Sequence, residues 1–327
     1  MTKSLISKRK TKLGKKQVST IKNKNSKLHV ALLYGGMSAE RPVSLMSFDG
    51  LNKALLKLGH SVTPVDVGHD LMNVIMEVKP DVVFNGLYGT YGEDGYIPAL
   101  LETLDLQYTH SGVIASVIGF NKLMSYKVFK THGIQFANNK VVSKKMGLKK
   151  DPMRRPYVIK PISEGSSIGV QLIFEEDDFN FENYKWEHGD DILVEEYIPG
   201  RELQVAVFND KAIGIVEIVP IGGRFYDFDT KYKEGLATHI IPAQLDKKIE
   251  KHILETAEKA HKALGCKTIS RVDFRYNPEG SDSGVYILEI NTHPGMTPLS
   301  LFPEICSYYG ITYENILERL IKDALSN

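Results

Sequence analysis

The chain has 327 residues, of which 42% are hydrophobic and 25% charged, with a formal net charge of +1. Such a length holds two or three packed domains, and this much apolar side chain builds a core, which excludes disorder throughout. No apolar run approaches the roughly 20 residues of a membrane-spanning helix, and Cys266 and Cys306 are too far apart for a disulfide frame or zinc knuckle, so they read as reduced cytosolic thiols.

Residues 1–27 contain ten Lys or Arg and no acid, so residues 28–327 carry a formal charge of −9. This basic segment reads as a solvated, disordered extension. Nucleic-acid or anionic-membrane contact would use the same charge, and the lack of an apolar h-region argues against secretion. Residues 28–34 form a buried strand stopped by Gly35-Gly36. Ser38 then stands as a cap candidate before a helix with Leu45, Phe48, Leu51, Leu55 and Leu58 on one face, ending at Gly59. A strand at 61–67, an apolar helix near 70–78 and a strand at 81–87 follow. This alternation predicts an α/β unit with a doubly wound parallel sheet.

A long helix is expected over about 112–132, then a polar, lysine-rich break at 140–155. Strand-like runs come at 157–161, 169–174 and 191–198. A hairpin turns at Asn209-Asp210, a helix presents Ile249, Ile253, Ala257, Ala260 and Leu264, and strands run through 270–276 and 284–290. An amphipathic helix at 312–325 closes the chain, and there is no internal repeat. The second half is therefore α+β, mostly antiparallel sheet with helices packed on it.

Neither a Walker A loop nor a G-x-G-x-x-G turn is present. Between two predicted strands, however, Lys160 precedes Glu164-Gly165-Ser166-Ser167-Ile168-Gly169. Such a loop offers N–H groups and hydroxyls to a phosphate, although a plain polar hairpin loop has the same composition. Asp273 sits within an apolar strand, and Glu289 and Asn291 flank Ile290 in another. Residues two apart share a strand face, so two carboxylates and an amide oxygen converge into a hard-cation site suited to Mg²⁺. Glu40 and Arg41 at a helix start suit a charged ligand or simple helix stabilisation. The aromatic, charged stretch Phe225–Tyr232 suits a lid or a set of packing pegs. The ten histidines show no metal-binding spacing.

In order along 28–327, these motifs resemble the D-alanine–D-alanine ligases of the ATP-grasp superfamily. They are Tyr34-Gly35-Gly36-Met37-Ser38-Ala39-Glu40-Arg41, Gly92-Glu93-Asp94-Gly95, Lys160-Pro161 with the glycine–serine loop, and Tyr226-Asp227 with Lys231-Tyr232. Arg271-Val272-Asp273, Glu289-Ile290-Asn291-Thr292, Pro294-Gly295-Met296-Thr297 and Ser300-Leu301 complete the set. The resemblance implies an ATP-grasp fold behind the doubly wound N-terminal domain, divided as 28–110, 111–197 and 198–327. It implies a cytoplasmic enzyme joining two D-alanines with ATP for peptidoglycan precursor synthesis, and a homodimer with no membrane or nucleic-acid partner.

By the same resemblance Lys122 and Lys160 contact phosphates, with Lys231 also on the nucleotide, under the loop of Glu164, Gly165 and Ser167. Glu195, Glu196, Tyr197 and Ile198 meet adenine, and Glu202 meets ribose. Asp273, Glu289 and Asn291 hold two Mg²⁺ or Mn²⁺ ions. Glu40 holds the first ammonium, Ser166 and Tyr232 complete a hydrogen-bonded chain with it, Arg271 and the Gly295 N–H stabilise an oxyanion, and Ser300 lies beside the second carboxylate. Tyr88 departs from the pattern, since many members carry histidine there. A D-lactate or other D-amino-acid ligase, and a non-catalytic ATP-binding protein, are the alternatives. Lys231-Tyr232 favours an amine acceptor over the first of these, and the presence of Arg271, Asp273, Glu289 and Asn291 speaks against the second.

Overall fold

The computed structural model describes residues 27–223, 235–280 and 283–326. Tyr226, Asp227, Lys231 and Tyr232, and the first 26 residues, lie outside them. Strand β1 (His29–Tyr34) is apolar on both faces and is covered on both. Val30 and Leu32 pack with Leu51 and Leu55 of α1 (Arg41–Lys57). Its other face brings Ala31 and Leu33 against Ile75 of α2 (Leu71–Val78) and Leu101 of α3 (Tyr96–Thr103). Strands β2 (Ser61–Asp66) and β3 (Val82–Asn85) flank it in the parallel order β2-β1-β3. Burial of a parallel sheet on both sides is why these strands read as continuous apolar runs.

Two expectations shift here. Helix α1 begins at Arg41 with Glu40 in the N-cap position, while the Ser38 hydroxyl donates to the Tyr88 carbonyl instead of capping. Its buried face is Val43, Ser44, Ser47, Leu51 and Leu55, whereas Leu45 is 44% exposed. The Ser44 hydroxyl accepts from the Gly35 N–H and donates to the Gly86 carbonyl, so a small polar residue docks the helix onto two loop ends.

The expected long helix is two helices, α4 (Val113–Phe120) and α5 (Lys122–Thr131). Asn121 between them is extended, with φ −98° and ψ 105°, and its side chain accepts the Met124 N–H to cap α5. Within the lysine-rich break lies β4 (Asn139–Ser143), an edge strand. Its Lys140 and Val141 face solvent, which hides it from a search for apolar alternation. Strands β5 (Tyr157–Pro161), β6 (Gln171–Ile173) and β7 (Asp191–Glu196) join it in an antiparallel sheet of order β4-β7-β5-β6.

A second antiparallel sheet has β8 (Arg201–Phe208), β9 (Lys211–Pro220), β10 (Ala237–Ile240), β11 (Ile269–Tyr276) and β12 (Val285–Asn291), in the order β10-β9-β8-β11-β12. The β8–β9 turn puts Asn209 and Asp210 at positive φ, as the hairpin reading required. One sheet face, with Val205, Val272 and Ile290, packs under α5 and α6 (Lys247–Leu264). On the other, Ala206, Val216 and Ile218 share a core with α1, α7 (Leu301–Tyr308) and α8 (Tyr313–Ala324). That shared core joins the first unit to the last. Strand β10 and helices α3 and α7 went unrecognised in the sequence, being short segments whose burial comes from distant partners.

Candidate active site

Strand register places the chemistry on one face of the second sheet. Gln204, Asp273 and Glu289 are directly opposite one another on β8, β11 and β12, and Ala206, Arg271 and Asn291 form the next row. Ile290 between them is buried, so Glu289 and Asn291 share the opposite face as period two requires. Arg271 donates two N–H bonds to the two carboxylate oxygens of Asp273, each at 2.8 Å. The Asn291 amide oxygen accepts the His293 N–H at 2.8 Å. Among the described residues no three His, Cys, Asp or Glu side chains gather as a metal cluster. Asp273, Glu289 and Asn291 are instead two carboxylates and a carboxamide, all hard oxygen donors.

Facing this sheet, Glu40 is buried at the start of α1. Ser166 of the glycine–serine loop donates its hydroxyl to the Glu40 carboxylate. A Cβ at Gly165 would lie 2.8 Å from Glu40 Oε2 and one at Gly89 only 2.4 Å, so two backbones approach this carboxylate as only glycine permits. Ser166 and Ser167 take positive φ, at +50° and +59°. Non-glycine residues there are strained by roughly 1–3 kcal/mol each, which the surrounding contacts must offset.

Burial pushes the Glu93 carboxyl well above the usual carboxylate range; Glu40 and Glu289 act the same way and Arg271 opposes them. Glu93, Arg271, Glu289, Asn291, Gly295 and Ser300 line one cleft with Glu40 and Ser166. The Ser300 hydroxyl accepts the Thr297 N–H at 2.9 Å, and a Cβ at Gly295 would stand 2.7 Å from that hydroxyl oxygen.

A second cavity of about 540 Å³ lies between the two antiparallel sheets. Lys160, Ser167, Glu195, Glu196, Tyr197, Ile198 and Glu202 line it with apolar Val158, Leu172 and Leu288. Lys160 Nζ pairs with Glu195 at 2.5 Å, and the Tyr126 hydroxyl donates to the same carboxylate at 2.6 Å. The Glu196 and Tyr197 N–H groups donate to the Asn138 and Pro156 carbonyls. Glu202 stands 3.6 Å from Arg275. Lys122, Glu164 and Glu289 line both cavities. Lys122 Nζ donates to the Glu164 carbonyl at 2.8 Å and lies 3.7 Å from Glu289.

The structure thus gathers every described candidate around two joined cavities. Three contributors escaped the sequence reading. Glu93 lay in a quoted motif without a role. Gln204, buried with its carbonyl oxygen unpartnered, shares a strand face with Glu202 two residues before it. Tyr126 is one helical turn beyond Lys122. Period two and period 3.6 from recognised residues were the available signals.

A carboxylate-lined cleft opening into a cavity between two antiparallel sheets, with lysines where they meet, defines a carboxylate–amine ligase of the ATP-grasp type. The family model described as "D-ala D-ala ligase C-terminus" matches residues 118–322. A D-alanine–D-alanine ligase of Rickettsia bellii is 50% identical over 308 residues, 94% of this chain and 95% of its own. That of Rickettsia typhi is 49% identical over 98% of this chain, a match that reaches into the basic first segment, and covers 99% of the relative. The ATP complex of the Bacillus anthracis D-alanine–D-alanine ligase superposes with a TM-score of 0.77 at 25% identity, covering 91% of this chain and 98% of that one. The chain belongs to the D-alanine–D-alanine ligase family, and it is an enzyme.

Proposed function

We propose that the two cavities run one reaction, the ATP-dependent joining of two D-alanines into a peptidoglycan precursor, with the nucleotide between the sheets and the amino acids in the Glu40 cleft. The observation that carries this is the junction: Lys122, Glu164 and Glu289 line both spaces, so a γ-phosphoryl group and a substrate carboxylate meet there. Three units are assigned, 28–110, 111–197 and 198–327, although α4 and α5 of the middle one share a core with the last.

Glu40, oriented by Ser166, holds the first D-alanine by its ammonium, leaving its carboxylate toward the junction. One carboxylate oxygen attacks the γ-phosphorus of ATP, the bond to the β,γ-bridging oxygen breaks, and acyl phosphate and ADP form. Lys122 and Lys160 bear on the phosphates. Glu195 and the Tyr126 hydroxyl fix the Lys160 ammonium, Glu196 to Ile198 border the adenine, and Glu202 meets the ribose. The free amine of the second D-alanine, its carboxylate beside Ser300, then attacks the acyl carbon, the acyl carbon–oxygen bond to phosphate breaks, and the amine proton ends on the departing phosphate.

Arg271 spends two of its five N–H bonds on Asp273. Asp273 thus orients the guanidinium, which supports the oxyanion together with the Gly295 N–H. Such a donor contributes about 2.7–4 kcal/mol to the transition state. Asp273, Glu289 and Asn291, all hard oxygen donors, would hold two Mg²⁺ or Mn²⁺ ions, which would neutralise charge on a transferring phosphoryl group. Lys231 on the nucleotide and Tyr232 in the Glu40–Ser166 chain complete the assignment, outside the described residues. A homodimer working in the cytoplasm is the expected state.

The test is phosphate release from Mg-ATP with D-alanine, L-alanine or D-lactate, with mass spectrometry of the product. D-alanine-dependent release and a dipeptide mass are expected, and Glu289→Gln should abolish both while its circular dichroism stays that of the parent. Release that ignores D-alanine, or near-normal turnover by Glu289→Gln, overturns the substrate or the metal assignment respectively.

A further inference from the structure

The loop carrying Gly295 leaves the end of β12 and crosses to the first unit, where it meets a buried aromatic wedge. Tyr88 Oη accepts the Met296 N–H at 2.9 Å, and Asn85 Nδ2 lies 3.4 Å from His293 Nδ1. Both bonds span 208 residues and tie segment 85–88 to segment 293–296 at two points. Behind them the His293 ring stacks on His110, centroids 3.7 Å apart and planes within 10°, and the Tyr88 ring meets His293 edge-on at 5.5 Å. Tyr88, His110, His293 and Met296 are each at most 5% exposed. Only Tyr88 of these borders the reaction cleft.

A Cβ at 295 would crowd the Ser300 hydroxyl, yet glycine leaves its own peptides free to swing. Bonding the Met296 N–H anchors the Gly295–Met296 peptide, so that the Gly295 N–H can swing only through the φ and ψ of Gly295 itself. We propose that Tyr88 is a positioning residue for acyl transfer: its phenol oxygen holds the Met296 amide, with the His293–His110 stack as its backing, and thereby aims the Gly295 N–H at the developing oxyanion. This rests on the role given to Gly295 above. Tyr88 therefore serves the second half of the reaction, dipeptide formation, and not phosphorylation of the first D-alanine.

Tyr88→Phe keeps the ring and removes the hydroxyl, and with it the acceptor of the Met296 N–H. In the full chain, kcat for dipeptide should fall about tenfold or more, a fraction of what loss of an oxyanion donor itself costs. The KM for ATP and the D-alanine-dependent scrambling of the β,γ-bridging oxygen of ATP, which reports acyl phosphate formation, should persist. Amide hydrogen exchange over 293–297 should quicken. His293→Ala should reproduce the pattern, and His293→Phe, which restores a stacked ring, should recover most of the loss. Unchanged exchange in Tyr88→Phe overturns the clamp. Quickened exchange with unchanged kcat overturns the role of the Gly295 loop, and the positioning role with it. Equal loss of scrambling and of dipeptide overturns the assignment to the second step.

Discussion

Glu93 shares the cleft with Glu40 and Glu289, and Arg271 and Lys122 supply positive charge beside these carboxylates. Its folded-state pKa is raised, first by burial. The fold therefore binds this proton more tightly than the unfolded chain does, and the resulting stability, full at low pH, is lost as pH rises through the raised value. Glu93→Gln stays neutral throughout. Its urea midpoint should exceed the parent's at pH 8 and converge on it towards pH 5, whereas parallel curves would mean that Glu93 ionises normally. The glutamate was readable within a motif, but its protonation was not. That depends on carboxylates 53 residues before it and 196 after it, which no local pattern brings together.

At the scale of elements, the break at Asn121 decides where Lys122 stands. An unbroken helix over 112–132 would carry the lysine along a single axis; the extended Asn121 instead starts α5 afresh, with Lys122 in its first turn beside Glu164 and Glu289. Helix α4 reaches β12 through Gly119, where a Cβ would meet Thr292 Cγ2 at 2.6 Å. Gly119→Val must push helix and strand apart, and overpacking of this kind costs about 1–3 kcal/mol. The expected result is a lower melting temperature together with reduced kcat, because Thr292 opens the Gly295 loop. Wild-type values for both would show that this contact yields without consequence. An asparagine before a lysine is a legible cap candidate. That it interrupts two apolar stretches of matching period was not, because periodicity averages across a single break.

Over the whole molecule, His110 and His261 are buried and their pKa values lowered, chiefly by desolvation. His110 faces the His293 ring and Thr109, while His261 faces Ser270, Asp210, Lys262 and Glu258, of which Asp210 and Glu258 oppose the shift without reversing it. Both histidines are therefore harder to protonate in the fold than in the unfolded chain, whose histidines titrate at about 6.5. Stability is thus full above that pH and falls as pH drops below it. Urea midpoints of Glu93→Gln, free of the opposing carboxyl, should hold from pH 8 to 7 and then decline towards pH 5. A flat profile would mean that the fold accepts the protons.

The alternation of strands and helices from β1 to β3, the hairpin at Asn209-Asp210 and the common facing of Glu289 and Asn291 were determined by the sequence itself. Each rests on residues within one or two periods of each other, where backbone geometry dictates the facing. Tertiary structure alone decided that Glu40 meets Ser166, that Lys160 is held by Glu195 and Tyr126, and that Tyr88 grips a loop from the far end of the chain. Those partners are 35 to 208 residues apart. Pairing of β5 with β7 sets Lys160 beside Glu195, and packing of α1, α7 and α8 into one core with two sheets brings the two ends of the chain together.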